Sequence, residues 1–222
     1  MNLTVAKTNM MKQQLRTAGA TDHDLLQAVE TIAREDFMPQ AYREVAYSDL
    51  RIRLEHDQMM LPPEQQAMLL QHLALQASDR VLEIGTGTGY LTALLARLTQ
   101  QVTSVEQFSD FTDAAKQRLA KYNIDNVTLL TRDAFHDWDN LTNHETFDII
   151  LCTAALYQYP GELLQSLAVN GRAIVIVGKA PVMCAYLYVR TGTDEWQETN
   201  LFDTAVPYAA GITQPETFSF EG

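Results

Sequence analysis

With 222 residues, 46% of them hydrophobic and 20% charged, the chain is long enough for one large α/β domain and too short for two full ones. Its 16 Lys+Arg stand against 28 Asp+Glu, a formal net charge of −12 with no basic stripe; this argues against nucleic acid or an anionic membrane surface as the partner, since both must be met with Lys and Arg. Only Cys152 and Cys184 occur, both in apolar stretches, and no signal-like block or bilayer-length apolar run is present, so no disulfide framework and no metal site are expected and a reducing cytoplasm is the expected compartment.

Residues 8 to 55 read as largely helical. Met10, Met11 and Leu15, then Leu25, Leu26, Val29 and Ile32, recur at helical spacing, with Gly19 as a break and Thr21-Asp22 as a cap for the second helix. Ala33 to Pro39 ends that helix, and Tyr42 to Leu50 is a mixed aromatic and charged connection. Arg51 to His56 alternates like a short strand, and Asp57 to Pro63 reads as a loop with exposed methionines. Pro63 is well placed at the first turn of a new helix, which Met68, Leu69, Leu70, Leu73 and Leu75 give an apolar side.

Strands and helices then alternate. Val81 to Ile84 is a buried strand, Gly85 to Gly89 a turn and Tyr90 onward a helix; further strands are predicted at 102–106, 127–131, 147–152 and 172–177, with helices near 108–122 and 160–168. Residues 185–190 and 201–206, separated by the polar stretch 191–200, suggest a closing antiparallel pair. The expectation is a mostly parallel sheet with an antiparallel C-terminal edge. It forms a single domain over 1–222, divided into an N-terminal helical and substrate-loop segment (1–62) and a cofactor-binding α/β core (63–222).

The turn carries the chemistry. Without Cβ atoms a backbone can approach a ligand closely, and the N–H groups at the following helix start offer donors. A dinucleotide fingerprint spaces its glycines as G-x-G-x-x-G, whereas Gly85, Gly87 and Gly89 alternate and Tyr90 follows. Glu83, ending the strand, disfavours a pyrophosphate and suits a cationic ligand. S-adenosylmethionine, with an ammonium, a sulfonium and no phosphate, fits this better than a nicotinamide dinucleotide. Ligands of such sheets lie at the carboxyl ends of the strands. There Glu106, followed by Gln107, can accept from both hydroxyls of a ribose, Asp133-Ala134 can meet an adenine amino group, and the small residues Thr153 to Ala155 leave room for the methyl donor. The candidate cofactor contacts are therefore Glu83, Gly85, Thr86, Gly87, Thr88, Gly89, Tyr90, Glu106, Gln107, Asp133 and Ala134.

Glu83 to Tyr90, Phe147-Asp148-Ile149-Ile150 and Gly171-Arg172 resemble class I S-adenosylmethionine-dependent methyltransferases. Gln14-Leu15 with Gly19, the run from Leu26 to Pro39 and Ala46-Tyr47-Ser48-Asp49 narrow the resemblance to protein-L-isoaspartate O-methyltransferases, over most of the chain. The resemblance implies a seven-stranded Rossmann-like methyltransferase sheet and a protein-repair enzyme that methylates isoaspartyl carboxylates of damaged proteins. In that family a loop reading Gly-Gln-Thr-Ile-Ser turns its Thr and Ser toward the substrate carboxylate and methyl donor; the matching positions here are Asp57, Gln58, Met59, Met60 and Leu61, so only the glutamine is kept. Leu61 cannot donate where the serine would, and Asp57 opposes an anionic acceptor if it faces the pocket. Arg51, Arg53 or His56 are alternative anchors. Three readings remain: transfer to an isoaspartyl protein or peptide, transfer to a less anionic small-molecule acceptor, or cofactor binding without catalysis.

Overall fold

The computed structural model describes residues 2–136, 138 and 145–212. The N-terminal segment is one nearly continuous helix: α1 (Leu3–Asn9), capped by Asn2, passes through a π-helical stretch, Met10–Leu15, into a last turn, α2 (Arg16–Ala18). Gly19, at φ 106, ends it in the left-handed region, and Asp22 caps α3 (His23–Thr31) by accepting from the Leu25 N–H at 2.7 Å. Two short 3₁₀ turns, Arg34–Phe37 and Gln40–Val45, carry the chain onward.

The stretch read as a strand and a loop is a β-hairpin. Here β1 (Ile52–Arg53) pairs antiparallel with β2 (Met59–Met60), and His56 and Asp57, at φ 56 and 54, form the bend between them. Two consecutive left-handed residues make the bend that matches strand twist, and Asp is among the residues that tolerate it. Met60, expected to be exposed, is buried. After it comes α4 (Pro63–Leu73).

The main sheet has seven strands: β3 (Arg80–Ile84), β4 (Gln101–Glu106), β5 (Val127–Thr131), β6 (Phe147–Leu156), β7 (Leu167–Lys179), β8 (Val182–Arg190) and β9 (Trp196–Asp203), in spatial order β5-β4-β3-β6-β7-β8-β9. From β5 to β7 all pairs are parallel, linked by α5 (Tyr90–Leu98), α6 (Ser109–Lys121) and α7 (Gly161–Gln165). Among these strands β8 alone runs against the rest, because it is the middle of two hairpins. One face of the sheet packs Val81, Val102, Ile149, Leu151 and Ile174 with α4, α5 and the N-terminal helices; the other packs Leu82, Val105, Ile150 and Val175 with Leu163 and Leu164 of α7. Because the chain leaves β3 for β4 on one side and returns as β6 on the other, a crevice opens at the carboxyl end of β3.

Several boundaries differ from the sequence reading: the strand read at 147–152 continues to Leu156, so Thr153 to Ala155 lie within β6 and not after it, and the strand read at 172–177 spans Leu167–Lys179. The last strand begins at Trp196, so the polar residues Gln197 to Asn200 belong to β9; on a sheet edge they face solvent and need no apolar alternation. The helix expected over 160–168 stops at Gln165, because Leu167 already pairs with Phe147.

Candidate active site

Three narrow cavities, of about 40, 50 and 50 Å³, lie along the crevice and share Gly85. The first is closed by the hairpin and α4 through Leu54, Met60, Leu61 and Gln66, facing Thr86 and Thr88. The second holds Glu106, Gln107 and Ala134 beneath Ala209 and Ala210. The third joins them under Gln58, Met59 and Pro207. Gly85 is fixed by two constraints: it sits at φ 96, and a Cβ on it would lie 2.9 Å from Thr153 Oγ1. Gly89 is fixed in the same two ways, at φ 83 and with a Cβ that would meet that of Ala115 on α6 at 2.9 Å.

Glu106 folds back over the turn. Its two carboxylate oxygens accept from the N–H groups of Gly87 at 2.8 Å and Phe108 at 3.1 Å. Burial raises its pKa and these backbone donors hold it down. The Gly87 donor that a pyrophosphate would need is thus already taken by an acid.

Glu83 is not a wall of the crevice. The sequence places it against a cationic ligand; the structure buries it completely, with Oε2 accepting from Thr92 Oγ1 at 2.5 Å and Ser104 Oγ at 2.6 Å, while Ser104 and Thr86 share a 2.6 Å hydroxyl contact. It pins the turn to its neighbours. Its Oε1 has no partner among the described residues, and burial pushes its pKa up to about 7. The unfolded chain ionises this group near 4.5, whereas the folded protein keeps it protonated to about pH 7, so its contribution to stability falls as pH rises between those values. Glu83→Gln, neutral throughout, should therefore gain on the wild type by on the order of 2–3 kcal/mol between pH 4.5 and pH 8. Thermal unfolding at both pH values checks this, and parallel curves for the two proteins would count against a protonated Glu83.

Tyr90, also expected at the ligand, lines none of the three cavities. Its ring is buried edge-on against Phe37, with the Arg34 guanidinium 5.2 Å from its centroid. Asp133 accepts from the Phe135 N–H at 2.9 Å and lies against Gly211, so Ala134 rather than Asp133 reaches the cavity. Asp57 faces solvent and pairs with Arg53 at 2.5 Å; it therefore does not charge the pocket. None of the alternative anchors lines these three cavities: Arg53 is held by Asp57, Arg51 bonds Thr204 Oγ1 at 2.9 Å, and His56 stacks on Phe108 with its Nε2 3.0 Å from Asp110. That last contact clasps the hairpin tip over α6.

Gln66, Leu54, Pro207, Ala209 and Ala210 line the site without having been read from the sequence. Gln66 was within reach: with Leu69, Leu70 and Leu73 it completes an i, i+3, i+4, i+7 stripe, which places an amide on the buried side of α4. The 207–210 segment carries no such signal. It arrives by backbone bonds to β6, Ala155 N–H to Pro207 O and Ala209 N–H to Ala155 O, each 2.9 Å.

Comparison with known proteins gives this crevice its relatives. The family model of protein-L-isoaspartate (D-aspartate) O-methyltransferases matches residues 6–208. The chain belongs to this methyltransferase family. The protein-L-isoaspartate O-methyltransferase of a Bradyrhizobium species is 36% identical over 206 residues, covering 92% of this chain and 94% of that one. Protein-L-isoaspartate O-methyltransferase 2 of Pelobacter propionicus is 35% identical over 193 residues, covering 86% and 84%. The fold is shared with a Plasmodium falciparum structure described as a putative protein-L-isoaspartate O-methyltransferase in complex with S-adenosyl-L-homocysteine (TM-score 0.79, 20% identity, 91% of this chain and 97% of that chain). Within the family frame, the altered loop 57–61 is the β1–β2 hairpin and its exit, and it closes the first cavity.

Proposed function

We propose that the protein transfers a methyl group from S-adenosylmethionine to the free carboxylate of isoaspartyl residues in damaged proteins or peptides. The observation that carries this reading is the meeting, at Gly85, of an acid-lined cradle suited to a ribose with a separate cavity under the hairpin, in a chain of this family. In this reading Glu106 holds the ribose hydroxyls, Gln107 and Ala134 flank the adenine, and Ala209 and Ala210 cover it. Bound S-adenosylmethionine supplies a methyl group made electrophilic by its sulfonium. The acceptor carboxylate is ionised at neutral pH and no proton has to be removed; its oxygen gains the bond to methyl as the sulfur loses it. The protein's task is orientation and exclusion of water. No His, Lys or Cys stands among the described residues lining the three cavities, which fits a reaction without a general base.

The test is transfer of labelled methyl to an isoaspartyl peptide beside its normal aspartyl counterpart. Base-labile label in the isoaspartyl peptide alone is the expected result; none in either would overturn the proposal. A second reading, transfer to a less anionic acceptor, is supported by the apolar Leu54, Met60 and Leu61 around the first cavity. It predicts that phenols or small acids outcompete the peptide in the same assay. The cytoplasm is the compartment we assign, supported by two free and buried cysteines.

Leu61→Ser restores a donor beside the acceptor. A hydrogen bond to a charged group contributes about 1.5–3 kcal/mol, so isoaspartyl kcat/KM should rise by roughly tenfold. Because Leu61 is buried, the variant should also melt earlier, by about 2–4 kcal/mol of stability. Steady-state kinetics and thermal melts read both effects, and an unchanged kcat/KM would mean that residue 61 does not face the acceptor.

A further inference from the structure

We propose that Gln66, oriented by the buried Arg34, is the side chain that holds the acceptor carboxylate. This deepens the function proposed above and rests on it.

Arg34 is 1% exposed and bonds no carboxylate among the described residues. Its guanidinium donates to three neutral acceptors: Nε to Ala46 O at 2.9 Å, one terminal nitrogen to Leu61 O at 2.8 Å, and the other to the carboxamide oxygen of Gln66. A buried cation surrounded by dipoles keeps most of its field, and it attracts an anion nearby far more strongly than a solvated one does.

The third of those bonds fixes Gln66. Its oxygen must face the guanidinium, so its NH2 must face the other way. Gln66 is 4% exposed and lines the cavity it shares with Leu61, Thr88 and Gly85. Its Nε2 donates to no described residue. An amide donor without a partner among the described residues, turned by an arginine away from itself on a side chain that lines a cavity beside the cofactor turn, is a ready site for a carboxylate oxygen. It supplies a donor that Leu61 lacks. Thr88, whose hydroxyl meets only the Met60 sulfur at 3.7 Å, offers a second donor in the same cavity. Arg34 is here a positioning residue, and Gln66 the one that touches substrate.

Gln66→Glu tests this directly. It keeps an oxygen for Arg34 and adds an ion pair, which favours folding, but it removes the donor and sets a like charge against the acceptor. The isoaspartyl-peptide Kd, measured by calorimetry without methyl donor, should rise about 30-fold or more, and KM with it. The S-adenosylhomocysteine Kd should stay within about twofold. The wild type should bind the isoaspartyl acid in preference to its side-chain amide, and the variant should lose that preference, which a purely structural role would not do. Gln66→Met, which deletes the donor without adding charge, carries the same comparison with about a tenfold loss and decides the matter if the glutamate variant does not fold. If both variants bind the peptide as the wild type does, the inference fails while the proposed function stands. If the wild type itself neither binds nor methylates the isoaspartyl peptide, the proposed function fails and takes this inference with it.

Discussion

Glu106→Ala should weaken binding of S-adenosylhomocysteine by about 100-fold or more, read by calorimetry. Two losses combine. The ribose hydroxyls lose a charged acceptor, at about 1.5–3 kcal/mol for a hydrogen bond of that kind. The N–H groups of Gly87 and Phe108 lose the carboxylate that holds them and the glycine turn in place. Glu106→Gln keeps one oxygen for the backbone and should fall between, at roughly tenfold. Wild-type affinity in the alanine variant would show that the ribose is not held at the end of β4. Because Glu106 is nearly buried and its carboxyl is raised by desolvation, cofactor affinity should also fall on acidification before an ordinary exposed carboxylate would protonate.

Arg34→Met should be the most destabilising single change on the substrate side. Leu61 O, Ala46 O and the Gln66 carboxamide would all lose their donor inside the core, and Met cannot replace any of them. Allowing for the relief of a desolvated charge, whose pKa burial already pulls down to about 10, a net cost of about 3 kcal/mol is expected, or on the order of 6–12 °C in Tm for a chain of this size. Arg34→Lys should recover little, because a single ammonium cannot span three acceptors that a planar fork reaches together. A melting temperature within a degree or two of wild type for Arg34→Met would mean that the loop exit is held by something else.

These two residues differ in how they could be found. The place of Glu106 at the crevice was readable because strand ends obey a rule of topology: once 81–84 and 102–106 are strands of one parallel sheet, their carboxyl ends share a crevice. Arg34 was visible as part of a helix-ending run and of the stretch that carries the family resemblance, with no role assigned to it. Nothing in its neighbours says that it will enter the core and bond residues 12, 27 and 32 positions away. The same holds for Asp57. As a letter in a substrate loop it suggests repulsion; as the second left-handed residue of a hairpin bend, paired with Arg53, it leaves the pocket uncharged.

Local order in the chain was enough for the α/β alternation, the parallel sheet with a reversed strand near its C-terminal end, the glycine turn and the carboxylate that ends β4 beside it. Each of these is written in periodicity, glycine spacing or the residue that ends a strand, which are short-range properties. Whether Glu83 and Tyr90 face the ligand or the core, which segment covers the adenine end, and what replaces the missing serine depended on contacts between residues far apart in sequence. The packing of the hairpin, α4 and the 207–210 segment over β3 and β6 decides which side chains line the crevice and underlies our proposals for the rest, and packing of distant segments leaves no periodic trace along the chain.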